Sequence, residues 1–183
     1  GWKEMAGVHN RGEWDLSRHG SYSKNNMTYK DAETGEEYIP WVLETSDGAD
    51  RAALMFLIDA YEEVDTRSGD EDSKHEKEVV LRLHKDLAPI KIAFLPLSKK
   101  EPLVNLTKEI QASLWGGYMT QYDETGSIGK RYRRQDEIGT PYCVTVDFDS
   151  LEDKKVTVRD RDTMQQERVE IENLKSYFAE KFA

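Results

Sequence analysis

The chain has 183 residues, 37% hydrophobic and 34% charged, with a formal net charge of −10. That is enough apolar content for one core or two small ones and excludes a disordered or fibrous chain. No apolar run reaches the ~18 residues that a membrane span needs and no charged-then-apolar leader opens the sequence, so the expectation is a cytoplasmic protein without membrane association.

Gly1 to Leu16 mixes Trp2, Met5, Val8, Trp14 and Leu16 with charges at partly alternating positions, which predicts a strand or strand pair with one buried face. Arg18 to Glu37 is polar, and Tyr29 to Tyr38 reads as a hairpin around Thr34-Gly35. Tyr38 to Glu44 is a strand whose Pro40 asks for an edge or a bulge. Thr45 to Glu63 then predicts a helix capped by Ser46 or Asp47. Its run Ala52 to Ile58 is apolar on every side, the mark of a core helix packed on a sheet. Arg51 lies in the first turn, where the helix dipole disfavours a cation unless an anion is near. Two readings stand open for it: an ion pair with Glu44, Asp47 or Asp50, or a nucleotide phosphate held at the helix end beside Gly48.

Asp65 to Lys77 is a polar linker or loop without an apolar residue, and Glu78 to His84 returns to strand pattern. A domain boundary is expected near Asp86 to Ala88. Beyond it come a strand (Ile90 to Leu97), an amphipathic helix (Pro102 to Trp115, with Leu103, Leu106, Ile110 and Leu114 on one stripe) and a strand (Tyr118 to Tyr122). A short basic helix, the strand Tyr142 to Phe148, the strand Lys155 to Asp160 and a closing helix (Ile171 to Phe182) complete the chain. The order β-α-β-α-β-β-α implies an α/β fold with parallel strands and an antiparallel pair near Asp153. Ligands of such sheets gather at the strand ends, where the loop around Gly126 belongs.

The basic helix belongs to the densest stretch of the sequence, Asp123 to Pro141. It places Lys130, Arg131, Arg133 and Arg134 within one and a half turns. Guanidinium forks match phosphate oxygens, which points to a phosphate-bearing partner. Against that stands a solvated face whose arginines pair with Asp136 and Glu137. Tyr132 reads equally as a stacking ring or as core.

The acidity is uneven. Residues 1–87 carry 11 Lys/Arg against 20 Asp/Glu, a net of −9, and residues 88–183 carry 15 against 16, a net of −1. A nearly neutral second half with its cations gathered on one helix presents a local positive patch. That asymmetry and a start without methionine suggest a piece of something longer. The single Cys143 in an apolar run excludes an internal disulfide and fits a buried small hydrophobe. His9, His19, His75 and His84 show no metal spacing, so neither a protein-held metal nor a tightly bound cofactor is expected.

Several stretches together resemble the C-terminal part of bacterial-type glycyl-tRNA synthetases, which are class II enzymes. They are Gly1-Trp2-Lys3-Glu4, Asn10-Arg11 with Trp14-Asp15-Leu16 and His19, Tyr38-Ile39-Pro40 with Glu44-Thr45-Ser46, and Gly48-Ala49-Asp50-Arg51. Leu95-Pro96-Leu97-Ser98-Lys99-Lys100, all of Asp123 to Pro141, and Val158 to Thr163 extend the match along nearly the whole chain. Met5, Ala6 and Thr45 stand where that family more often has leucine, glutamate and proline.

The resemblance implies that residues 1–87 are the α+β tail of a class II catalytic domain, an antiparallel sheet plus a core helix. Residues 88–183 would be an anticodon-binding domain with a mixed five-stranded sheet and flanking helices. Gly48 to Arg51 would be the third class II signature motif, with Arg51 and Glu44 as the catalytic pair. ATP would meet Glu4, Met5, Gly48, Ala49, Asp50 and Arg51, together with Mg in the full-length enzyme. Glycine would meet Glu44, Thr45, Ser46, Asp47 and Gly48. Glycine tRNA would meet Lys130, Arg131, Arg133, Arg134, Arg159 and Arg161. The implied reaction forms glycyl-adenylate and then glycyl-tRNA in a homodimeric enzyme. The first two signature motifs are absent from these residues, so this piece alone is expected to be inactive. The rival classes are a non-catalytic synthetase-like binding paralogue and a free-standing anticodon module; retention of Glu44, Ser46 and Arg51 weighs against the first.

Overall fold

A computed structural model of the chain describes residues 4–65 and 77–183. Gly1, Trp2 and Lys3 of the opening motif and most of the polar Asp65 to Lys77 linker lie outside the described residues. The chain divides into two compact units, residues 1–55 and 56–183.

In the first unit, β1 (Ala6–Gly12) pairs antiparallel with β4 (Val42–Asp47), with Val8 opposite Thr45 and His9 opposite Glu44. Between them lie α1 (Trp14–Ser23) and the small ribbon of β2 (Tyr29–Lys30) and β3 (Glu37–Tyr38). The hairpin expectation around Thr34-Gly35 holds, and its turn is built by one carboxylate. Asp31 Oδ1 accepts from the backbone N–H of Glu33 and Thr34 and from the Thr34 hydroxyl, and Gly35 sits at φ +73°.

Two expectations fail here. Trp14 to Leu16 is helical, with Asp15 of the first turn bound by Arg11 from the end of β1 and Lys24 closing the helix in the left-handed conformation. Pro40 interrupts the strand predicted from Tyr38 to Glu44: β3 ends at Tyr38 and β4 starts at Val42, since proline has no N–H for the ladder.

Helix α2 (Ala49–Ala60) forms inside the predicted span, but Ser46 and Asp47, expected as its cap, belong to β4, and it is not a core helix here. Leu54, Met55, Phe56, Leu57 and Ile58 are all exposed, and Ala60 is its only buried residue. A helix apolar all round requires cover on several sides. The described residues do not supply it.

The second unit opens with the end of α2 and an antiparallel pair, β5 (Tyr61–Asp65) and β6 (Lys77–Leu81). It continues through β7 (Ile92–Pro96), α3 (Glu101–Ser113), β8 (Thr120–Tyr122), α4 (Ile128–Glu137) and β9 (Tyr142–Val146). Then follow the short α5 (Asp149–Asp153), β10 (Lys155–Asp160), β11 (Gln166–Glu170), a 3-10 turn and α6 (Leu174–Lys181). The sheet order is β11-β10-β9-β7-β8, parallel where β7 meets β8 and β9 and antiparallel across β9-β10 and β10-β11. The five-stranded mixed sheet is as expected, with β11 as the strand missing from the predicted order.

The central parallel strands β7 and β9 are buried on both faces, as crossover helices require. Ile92, Phe94, Tyr142, Val144 and Val146 meet Leu103, Ile110 and Leu114 of α3 and Leu174 and Phe178 of α6. Ala93, Leu95 and Cys143 face the other way, against Ile128 and Tyr132 of α4. Burial pushes the Cys143 thiol up to about 12, so it behaves as a small apolar filler.

Candidate active-site elements and nucleic-acid interface

The residues expected to hold ATP and glycine converge on the β1–β4 pair and the start of α2. The register sets Gly7 against Ser46 and Ala6 against Asp47, which carries the chain from the strand straight into Gly48. The Gly48 N–H reaches the Met5 carbonyl at 3.5 Å, and Ala52 N–H closes the first helical turn on Gly48 O. Arg51 Nη1 donates to the Glu4 carbonyl at 2.5 Å. Glu4, Met5, Gly48 and Arg51 are thus gathered from sequence positions more than forty apart. None of the three carboxylate partners expected for Arg51 is realised: among the described residues it makes no ion pair, and its partner is a backbone carbonyl. Glu44 is half-buried on β4, with Arg11 near enough to feel its charge.

The six cations expected to meet RNA divide into two sets. Arg131, Arg159 and Arg161 are buried, each 3% exposed, with partners inside the fold. Arg131 donates to Gly126 O and Pro96 O, binding α4 to the end of β7. Burial pushes its pKa down, although a guanidinium stays charged. Arg159 grips both oxygens of Asp136 at 2.9 and 2.8 Å, with its guanidinium 4.8 Å from the centre of the Tyr132 ring. The Tyr132 hydroxyl and the Thr145 hydroxyl are 2.6 Å apart, so the core reading of Tyr132 is the one realised. Arg161 donates to Gly139 O and Leu83 O and forms an ion pair with Asp162. Arg82 reaches the same Asp162 carboxylate and Glu62.

The other three cations lie toward solvent. Arg133 pairs with Glu137 one turn on, not with Asp136. Arg134 binds Asp123 and Thr125 O. Burial works to raise the Asp123 pKa, but the Thr125 N–H and Arg134 outweigh it and hold the carboxyl below its usual value. Lys130 is exposed and makes no ion pair among the described residues.

The local sequence explains α4. Ser127 caps it, accepting from Lys130 N–H, and Gly139 ends it at φ +81°. Gly139 is required twice, since a Cβ there would stand 3.0 Å from Leu81 O.

The C-terminal ends of β7 and β9 carry further residues that the sequence reading left without a role. Lys99, Lys100 and Phe148 are exposed there. The doublet of lysines directly after the first parallel strand was the available signal.

Residues 91–181 match the anticodon binding domain family. Curated glycine–tRNA ligases align along the entire chain: 54% identity over 182 residues in Ruminiclostridium cellulolyticum, 55% over 182 in Acetivibrio thermocellus and 52% over 181 in Bacillus cereus. Along its whole length the chain is thus similar to the C-terminal part of glycine–tRNA ligases. It covers 38% of the length of each of these ligases, and they cover 99–100% of it. A prolyl-tRNA synthetase from Giardia lamblia, solved with prolyl-adenylate, aligns with 93% of the chain and 32% of its own length, at a TM-score of 0.61 and 19% identity. That likeness concerns the fold. No three His, Cys, Asp or Glu side chains among the described residues cluster to hold a metal. No helix among them is long and apolar enough to cross a membrane.

Proposed function

We propose that the chain is the C-terminal part of a cytoplasmic, homodimeric glycine–tRNA ligase. Residues 1–87 complete its catalytic domain and residues 88–183 bind the tRNA anticodon arm. The observation that carries this reading is the placement of Arg51. A cation at the start of α2, without an ion pair among the described residues and steadied by Glu4 O, is prepared for the phosphates of a nucleotide. Glu44 and Ser46 lie on the strand that feeds this helix and accept hydrogen bonds from the glycine ammonium.

In the reaction the glycine carboxylate attacks the α-phosphorus of ATP, pyrophosphate leaves, and the terminal ribose hydroxyl of the tRNA then takes the glycyl group. Mg would come with the ATP phosphates and neutralise part of their charge. Arg51, with Gly48 and the backbone of Glu4 and Met5, orients the nucleotide; Glu44 and Ser46, with Thr45 and Asp47 beside them, orient glycine. On the RNA side, Lys130, Arg133 and Arg134 make the direct contacts, whereas Arg131, Arg159 and Arg161 hold the surface that presents them.

Glycine-dependent exchange of pyrophosphate into ATP tests the reading. The full-length protein is expected to catalyse it, Arg51→Ala in that protein to lose roughly 10²–10³-fold, and the 183-residue chain alone to be silent. Exchange by the isolated chain at near the full-length rate would refute the assignment of roles. Silence of the full-length protein with RNA binding intact would favour a non-catalytic paralogue.

A further inference from the structure

We propose that the C-terminal rim of β7 and β9 is a stacking platform for an unpaired base of an RNA loop, with Phe148 as the stacking ring and Lys99 and Lys100 as its phosphate contacts. The inference rests on the anticodon-arm reading above and names a part of that surface which the α4 cations do not.

Phe148 lies two residues beyond β9, at the N-cap of α5, and is 44% exposed, whereas all five residues of β9 are buried. A large apolar ring in that position forgoes the burial that the apolar residues of β9 obtain. Leu97 N–H donates to Val146 O at 2.8 Å, which lays residues 97–100 alongside the end of β9. Lys100 Nζ then stands 4.9 Å from the centre of the Phe148 ring. A cation beside an exposed aromatic ring is the pairing that single-stranded nucleic acid uses: the base stacks on the ring and its phosphate meets the ammonium.

The surrounding charges favour an anion. Asp147 is bound by Arg168 and Ser150, Asp123 by Arg134, and Glu124 by the Tyr122 hydroxyl. Lys99 and Lys100 make no ion pair among the described residues, and neither does Lys130, which the Arg131 bonds to Pro96 O and Gly126 O hold on the same rim. Glu101 and Asp149 are the exposed carboxylates beside them. A paired duplex would present phosphates but no free base face, so the exposed ring selects a loop.

The test measures binding of the full chain to an RNA hairpin bearing the anticodon loop of a glycine tRNA, with a fully paired duplex of the same stem as control. Phe148→Ala is expected to weaken loop binding roughly 5- to 150-fold, the range for losing one stacked base, without changing its salt dependence. Phe148→Trp should bind like the parent, and Phe148→Leu, which keeps apolar bulk without a π face, should fall with the alanine variant. Lys99→Ala with Lys100→Ala should flatten the salt slope by about 1.4, or ~0.7 per contact. Thermal melts should match the parent throughout. Parent-like binding by Phe148→Leu, or equal affinity for duplex and loop, would overturn the platform while leaving the anticodon reading intact. Failure of the unaltered chain to bind the hairpin would overturn both.

Discussion

Replacing Asp136 by alanine is expected to destabilise the second unit by about 3–5 kcal/mol, the usual cost of leaving one partner of a buried ion pair alone. The structure supports the upper half of that range. The side chains of Arg159 and Asp136 are 3% and 6% exposed, so water cannot replace the lost acceptor. Two charge-assisted hydrogen bonds disappear together, each contributing ~1.5–3 kcal/mol. With a urea m value of about 2 kcal/mol per molar, the midpoint of unfolding should fall by about 2 M. Combining Asp136→Leu with Arg159→Met should recover much of the loss, because an apolar pair leaves no stranded charge. A double-mutant cycle should therefore give a coupling of about 2 kcal/mol or more. A midpoint shift below about 0.5 M, or no coupling, would refute the reasoning. If Arg159→Ala instead weakened RNA binding at unchanged stability, Arg159 would be an RNA contact after all.

The turn from Asp160 to Gln165 repeats the bonding of the turn from Asp31 to Glu36, with Asp160 Oδ1 accepting from Asp162 N–H, Thr163 N–H and the Thr163 hydroxyl. Met164, at φ +58°, occupies the place that Gly35 fills in the first turn. Met164→Gly should therefore stabilise by about 0.5–1 kcal/mol, the left-handed strain relieved less the added freedom of the unfolded chain, seen as a Tm higher by a few degrees. In acid, Asp15 is held below the usual carboxylate range by Arg11, Asp31 by the Thr34 N–H and hydroxyl, and Asp153 by Arg168. Depressed pKa values in the folded state contribute stability above the unfolded value of about 3.9 that is lost as pH falls through the folded values. Melts should thus be insensitive to these three groups down to about pH 5 and drop below about pH 4; Asp31→Ala and Asp153→Ala should lessen that drop, and an unchanged drop would exclude them as its source.

The elements that periodicity could announce were readable. The stripe of α3, the short basic helix and the apolar runs of β7 and β9 all depend on neighbours a few residues away. Strand β11 was not readable, because Gln166 to Glu170 has a strand's geometry only by pairing with β10. Strand β5 was hidden in the tail of a helical pattern, and α5 is too short for any pattern. The exposure of α2 departs from its composition because apolar composition states a need for cover and not its source. The same limit governs the site. Sequence shows four cations on a helix, but whether Arg131 meets a carbonyl 35 residues away or a phosphate is decided by tertiary approach. Glu44 enters the candidate site only through the family resemblance, since nothing local marks one carboxylate among so many, whereas Arg51 stands out by its place at a helix start.

Helix α4 has a mechanical consequence. Its ten residues span about 15 Å. Near its first turn Arg131 fastens the Gly126 loop to Pro96, and just past its last turn Arg161 fastens Gly139 to Leu83. The helix is thereby a strut with both ends riveted: one at the rim where the sheet's strands finish, the other at the segment through which the chain enters the sheet. A load placed on the rim is carried rigidly to that entry point, and the two places move as one body.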